Sequence, residues 1–437
     1  MLPAALMRDM MASIAQSPAA KTEQINHSRI AWVVIVSSFL IFCALCIVTG
    51  LVVQYFLFDS TTPLQAVLIL GRGTVGVTGT DLIEQIVRDQ REISPSSEIS
   101  TYNQSQATIS FYDPMATDEL LATVTVNSNS TLDLNEMSRP RFEWGSQGYE
   151  VYLDELNGNL DVHIPEDLSR DMRVSVRTAD NNWAYFTKPG SYSMMAGDSE
   201  IRVTNNDGEA VMLAGDTLQS QPVGEQQRGI YYPASEQFLL LPGLENLLGD
   251  SQSWACFNGP YDNPVGSYEM VEIEGRTAVL FFRDEGAQSH GETGCTISFG
   301  ATGTDVSQYD YMALRAIFRI DDHSLSACGV EGSECPMMIK IDYIPVNGEP
   351  AVSWYHGFFS NVDFQLNYPL ICASCTREHD AVNPGTWYTY QSDNLFSMIP
   401  TNLRPGDILN VRFYASGHEY DVSVSDIALL VGQADPA

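Results

Sequence analysis

Leu160-Asp-Val-His-Ile164 sets the pattern for most of this chain: Leu160, Val162 and Ile164 are apolar and the residues between them are polar. Successive side chains of an extended strand point to opposite faces, so such a run reads as a strand with one face buried. The same period of two recurs at Ala107, Ile109 and Phe111, at Ala122, Val124 and Val126, and at Met172, Val174 and Val176. Asn157-Gly158 and Asn206-Asp-Gly208 read as turns between strands. One short helix is expected over Asp81 to Glu92. Residues 66–220 are therefore expected to form a domain of many short strands.

The order of these runs resembles the FecR-like domain, a β-rich module found outside the cytoplasmic membrane of bacteria. The resemblance is carried by Gly76, by Ser96-Ser-Glu-Ile-Ser100 running into Ser105-Gln-Ala-Thr-Ile-Ser-Phe111, and by Asn129-Ser-Thr-Leu-Asp-Leu134. Glu200-Ile-Arg-Val203, Gly208-Glu-Ala-Val211 and Leu213-Ala-Gly-Asp216 resemble its closing strands. Members of that family that regulate sigma factors join a cytoplasmic domain, which grips the sigma factor, to an outer domain that listens. Here the segment before the apolar stretch has 29 residues, too few to bury an independent core. Residues 2–16 read as one amphipathic helix or as a disordered juxtamembrane segment, with Leu2, Leu6, Met10 and Ile14 every four residues.

From 221 to 249 the strand rhythm lapses into an expected connector punctuated by Pro233, Pro242 and Gly243. Residues 250–437 are again β-rich, with strands expected at Thr277–Phe282, Leu314–Ile320, Met338–Tyr343, Leu409–Tyr414 and Asp421–Val431. In the last of these Val422 and Val424 share a face, yet the apolar row resumes at Ile427 and Leu429, which implies a bulge near Ser425-Asp426. Ala415-Ser-Gly-His-Glu-Tyr-Asp421 leading to Val424-Ser-Asp-Ile-Ala-Leu-Leu430 is similar to galactose-binding-like and carbohydrate-binding modules, which are jelly-roll β-sandwiches. The resemblance implies that Asp426 can serve a structural calcium, and Asp421 and Glu419, just before the bulge, are candidate further ligands; no other cofactor is expected. The aromatic clusters Trp354-Tyr-His-Gly-Phe-Phe359 and Trp387-Tyr-Thr-Tyr390 suit a sugar face, with polar groups nearby for its hydroxyls. Candidate ligand contacts are Trp354, Trp387, Tyr388, Arg377 and His379. Period two divides the second cluster, with Trp387 and Thr389 on one face and Tyr388 and Tyr390 on the other.

Six cysteines fall in the second β region, at 256, 295, 328, 335, 372 and 375. Six allow fifteen pairings, and the sequence-local set, Cys256 with Cys295, Cys328 with Cys335 and Cys372 with Cys375, is the simplest. A zinc held by Cys328, Cys335, Cys372 and Cys375 is the alternative, since Cys372-Ala-Ser-Cys375 has knuckle spacing. Disulfides place this region in an oxidising compartment.

Ile30 to Phe58 contains no charged residue and exceeds the roughly 20 residues that cross a bilayer. Arg8, Lys21 and Arg29 precede it and Asp59 follows, so the basic side, cytoplasmic by the positive-inside rule, is N-terminal. The apolar run is about twice the length of a signal-peptide core, which favours a retained anchor. Beyond residue 58 there are 19 basic and 53 acidic side chains, a surface that repels nucleic acid. No GxSxG, HExxH or P-loop pattern occurs and the seven histidines are scattered, so no enzyme is expected. The expectation is an all-β protein: a cytoplasmic segment at 1–29, a transmembrane helix at 30–58, a FecR-like domain at 66–220, a connector at 221–249 and a jelly roll at 250–437. It would sit in a bacterial cell membrane and bind glycan or an envelope partner, or else act as a FecR-like sensor in transmembrane signalling. Protease added outside intact cells should then reach residues beyond 60, whereas labelling that puts the C-terminus in the cytoplasm would overturn the orientation.

Overall fold

The computed structural model describes residues 27–434 apart from 117–118, 146, 250–253, 275, 285, 288 and 364. The amphipathic reading of residues 2–16 lies outside the described residues. His27–Gln54 is one α-helix, continued by a wider turn over Tyr55–Asp59. The 31 residues Arg29–Asp59 form a helix long and apolar enough to cross a membrane. Its large apolar side chains, Trp32, Phe39 and Leu45 among them, are exposed. Ser37 returns its hydroxyl to the Val34 carbonyl at 3.1 Å, which satisfies it within the helix.

The chain from Thr61 onward is one compact unit with two main hydrophobic cores, one of residues between Leu64 and Tyr231 and one between Leu248 and Val431. In the first β body two sheets share the strand Tyr149–Ile164. Its beginning runs parallel to Met172–Thr178, Val151 beside Val174, and antiparallel to Thr131–Pro140. Its end runs antiparallel to Glu119–Val126 and Gly190–Ala196, with Val162 opposite Val124 and Tyr192. The pairings join into one closed network. Asn157-Gly158 is therefore a bend inside a long strand and not the turn expected there. Glu155 and Gly158 take positive φ (53° and 110°) where the register shifts, and a Cβ on Gly158 would collide with Ser130.

Two other expectations are corrected. Asp81 to Glu92 holds no helix: Glu84–Val87 pairs with Val75–Thr78 and Gln90–Ile93 with Gln65–Arg72. Leu82, Ile83 and Ile86 are exposed while Val87 and Ile93 are buried, so the apolar residues anchor strand ends and do not line one helical face. Residues expected as a connector form the hairpin Gln227–Tyr232 and Gln237–Pro242, laid against Ile201–Asn205. Ile230 and Tyr231 are buried, but Gln237–Pro242 is an edge strand without buried residues, which is why its alternation is weak.

The second β body is a β-sandwich of jelly-roll type. One sheet holds Ser267–Ile273, Arg276–Arg283, Tyr311–His323, Trp387–Gln391 and Tyr420–Gly432; the other holds Ala255–Asn258, Gly291–Ser298, Met337–Pro345, Val352–Phe359 and Pro405–Gly417. Phe281, Phe318 and Val424 of the first face Ile339, Phe358 and Phe413 of the second across the core. Ser425 is the extra residue of a bulge, since Ile317 pairs with Asp426 and Phe318 with Val424. The cysteines form the disulfides Cys256–Cys295, Cys328–Cys335 and Cys372–Cys375. The first of them staples paired strands at directly opposed positions.

Each body contains a polar group that its packing can least do without. In the first, Asp113 is buried against Arg139, with side-chain exposures of 2% and 7%, and also accepts the Tyr149 hydroxyl at 2.9 Å. Removing one partner of a buried ion pair strands the other, so Arg139→Met should cost about 3–5 kcal/mol in urea unfolding. In the second, buried His323 accepts the backbone N–H groups of Ser360 and Asn361 on Nε2 at 3.0 and 2.9 Å. Burial pushes its pKa down to about 4 from 6.5. The unfolded chain then takes up the proton first as pH falls, so His323 contributes fully above pH 6.5 and its contribution, about 3 kcal/mol, is lost between 6.5 and 4. The melting temperature should fall over that window, and less steeply in His323→Gln; an unchanged slope in the variant would refute the assignment.

Candidate ligand cleft

Alternation along Tyr311–His323 sends Leu314, Ala316 and Phe318 into the jelly-roll core, so Arg315, Ile317 and Arg319 point outward. The opposite wall comes from the first body, where Leu160, Val162 and Ile164 are core and Asp161 and His163 alternate outward. The two outer faces meet. Thr123 and Thr125 are each only 6% exposed although they lie on the outside of their own sheet.

Specific bonds hold the faces together. Arg72 reaches Asp380 at 3.1 Å and the Tyr388 hydroxyl at 3.4 Å. The Gln106 amide donates to the Thr389 carbonyl at 2.8 Å and accepts the Thr389 N–H at 3.1 Å, thereby substituting for a neighbouring strand. Asn383 donates its backbone N–H to Gly71 at 2.9 Å and its side-chain amide to Leu70 at 2.8 Å.

Between these contacts the faces part into three adjoining cavities of about 320, 140 and 720 Å³. The first is lined by Asp161, His163, Ser191, Arg276, Arg315 and Asp426, among others. Trp387 and Thr386 close the second, and Arg276 and Thr389 line the first and second alike. Asn127, Arg377, Tyr390 and Arg315 contribute to the third. The acidic groups are engaged: Asp161 accepts from Asn127 at 2.8 Å and Ser193 at 2.5 Å, and Asp426 accepts from Arg315 at 2.9 Å. His163 contacts the Ser191 hydroxyl through Nδ1 at 3.2 Å. Burial, with Arg276 and Arg315 close by, pushes its pKa down to about 4, so it is neutral at physiological pH.

The structure separates the residues singled out from sequence. Trp387 and Arg377 line the cleft, and Arg377 lies 3.7 Å from Asp380. Trp354 does not: it is 1% exposed inside the sandwich, because the strand Val352–Phe359 turns that face inward. Tyr388 packs in the core and brings its hydroxyl, on Arg72, to the third cavity. His379 is buried, accepting the Gly357 N–H on Nδ1 at 2.9 Å and placing Nε2 2.8 Å from the Gly332 carbonyl, so it serves the fold. Nor do Asp426, Asp421 and Glu419 make one calcium shell. Asp426 stands opposite Ile317 and Asp421 opposite Asp322, about 16 Å apart along one strand at roughly 3.3 Å per residue, whereas a calcium shell closes within 2.3–2.6 Å. The Cys328–Cys335 and Cys372–Cys375 pairs each lie close to His379, but their sulfurs are spent in disulfides and offer no thiolate. Arg276, Asp161, His163 and Gln106 emerge only from the tertiary structure. For Asp161, His163 and Gln106 the one sequence signal is that each is the polar member of an alternating run; Arg276 heads the apolar strand Arg276–Arg283 and carries no such signal.

No protein-family model and no curated protein sequence matches this chain. Among solved structures it is similar to an anti-sigma factor, provisionally so described, from Parabacteroides distasonis ATCC 8503, at 14% identity over 36% of this chain and 61% of that one with a TM-score of 0.24. It is also similar to a family 11 carbohydrate-binding module of a Clostridium thermocellum cellulosomal cellulase, at 13% identity over 44% of this chain and 97% of that one with a TM-score of 0.24. A CBM22-1 xylan-binding domain from Paenibacillus barcinonensis matches at 10% identity over 44% and 94%, with a TM-score of 0.23. The match spans less than two thirds of the anti-sigma factor's chain, and likenesses this distant assign no residue.

Proposed function

We propose that this chain is a single-span membrane protein that displays a two-part β body on the extracytoplasmic side, and that the body binds glycan in the cleft between its parts. The observation that carries the reading is the cleft itself. Two rigidly clamped faces leave a space lined by hydroxyl, amide and charged groups beside the indole of Trp387, which is the mixture a polyhydroxylated ring requires. The disulfides suit an oxidising side, and the apolar helix supplies the tether.

We read the protein as a non-enzyme. Glycoside hydrolysis needs one carboxyl group to donate a proton across the scissile bond from a second carboxylate. In the first cavity Asp161 and Asp426, which stand on opposite walls, are instead bound as acceptors by Asn127, Ser193 and Arg315, and Asp207 accepts the Ser191 N–H. That arrangement fixes charge and orients a ligand. The full chain in detergent micelles, applied to a glycan array, should retain oligosaccharides. Trp387→Ala should weaken the retained binding about 10-fold or more, as truncating a central aromatic contact does. Retention of no glycan, or undiminished binding by the variant, would overturn the reading.

A further inference from the structure

Arginines inside the two bodies are matched either to carboxylates or, as with Arg170, Arg283 and Arg404, to backbone carbonyls, and among the described residues Arg276 has neither. Arg72 has Asp380, Arg139 has Asp113, Arg177 has Asp154, Arg315 has Asp426 and Arg412 has Glu292. Arg276 projects between the bodies, where Nη2 donates to the Thr123 hydroxyl at 3.1 Å and the guanidinium lies 5.9 Å from the centre of the Trp387 ring. Among the described residues no carboxylate comes within ion-pair distance of it. Asp426 and Glu274 exert only a longer-range pull, and burial outweighs them, holding the guanidinium below its ordinary pKa. A cation withdrawn from water without a counter-charge is costly. The expense is incurred here in a protein with 53 acidic side chains beyond residue 58, so suitable partners were abundant.

The position of this cation gives the imbalance a use. Arg276 lines both the 320 Å³ and the 140 Å³ cavities, so its remaining donors border open space. His163 adds no positive charge there, and Asp426 is taken by Arg315. Thr125 and Thr389 border the same two spaces and offer hydroxyl and backbone partners to a ring. A guanidinium presents paired N–H donors that match two oxygens of a carboxylate or a sulfate.

Building on the binding function proposed above, we infer that Arg276 is the anion anchor of the cleft and that the ligand is an acidic glycan, with a uronate carboxylate or a sulfate ester of the sugar paired to the guanidinium. The charge rides on the ligand, so the empty cleft carries the unpaired cation and the loaded cleft does not.

The test uses the full chain in detergent micelles, with uronate oligosaccharides against their methyl esters and sulfated oligosaccharides against their desulfated forms. Each acid should bind more tightly than its neutral counterpart, and the arm that responds identifies the anion. Arg276→Met should weaken binding of the acidic form about 10- to 100-fold, the range for a hydrogen bond to a charged group. It should weaken the neutral form several-fold less than the acidic one, while Arg276→Lys should retain part of the preference. The melting temperature of Arg276→Met without ligand should be equal or higher, because a half-buried cation without a counter-charge has been removed. Neutral and acidic forms bound alike, or an Arg276→Met variant that melts several degrees lower, would overturn the anion anchor while leaving glycan binding in place. Retention of no glycan in any arm would instead count against the binding function itself.

Discussion

Asp380 is the carboxylate on which the relation between the two β bodies depends. It is buried, and it is reached by Arg72 from the first body and by Arg377 and His356 from the second. Burial alone would raise its pKa, but His356, Arg72 and Arg377 together outweigh that and hold the carboxyl below its usual range. His356, itself kept neutral by burial, donates Nε2–H to it at 3.2 Å. A buried ion pair of this kind contributes little net stability compared with apolar packing, yet leaving either partner alone is costly. Its effect is therefore on geometry: one docked arrangement satisfies every charge gathered at Asp380, and others strand one.

That constraint explains why the cleft persists as open space. The outer faces of the two sheets are polar, so collapsing them onto each other would bury hydroxyls and charges without partners. They touch where complementary groups exist, at Arg72–Asp380, Gln106–Thr389 and Asn383 with Leu70 and Gly71. Elsewhere they stand apart. A gap held by hydrogen bonds at its margins is preorganised, and a ligand entering it loses less free energy to ordering the protein. The bulge at Ser425 adds to this by turning both Ser425 and Asp426 into the 320 Å³ cavity, where a regular strand would alternate them across the sheet.

The apolar helix imposes a different constraint. Water cannot satisfy a surface of exposed Trp32, Phe39, Leu45 and Phe56, whereas a bilayer can, and the helix returns its own hydroxyl at Ser37 to the backbone. The chain after it buries its apolar groups in sandwich cores. The two portions are thus matched to two solvents.

Local pattern in the sequence determined the strands, because side chains alternate at a period of two whatever the strand packs against. Leu160-Asp-Val-His-Ile164 announced its buried and open faces, and the slip between Val424 and Ile427 announced the bulge at Ser425. The apolar stretch Ile30–Phe58 was legible for the same reason: its physics is local. Misreadings arose where the outcome depended on partners remote in sequence. Asp81 to Glu92 became strands because Val75–Thr78 and Gln65–Arg72 offered edges, and the region taken for a connector became a hairpin because Ile201–Asn205 did. Trp354 and Trp387 look equivalent as aromatic residues in strands, yet one faces the sandwich interior and the other the cleft. The alternation shows which side chains point away from a core. Only the docking of the two bodies, which brings together residues as far apart as Thr123 and Arg276, decides what those side chains meet, and there Arg276 is left without a counter-charge.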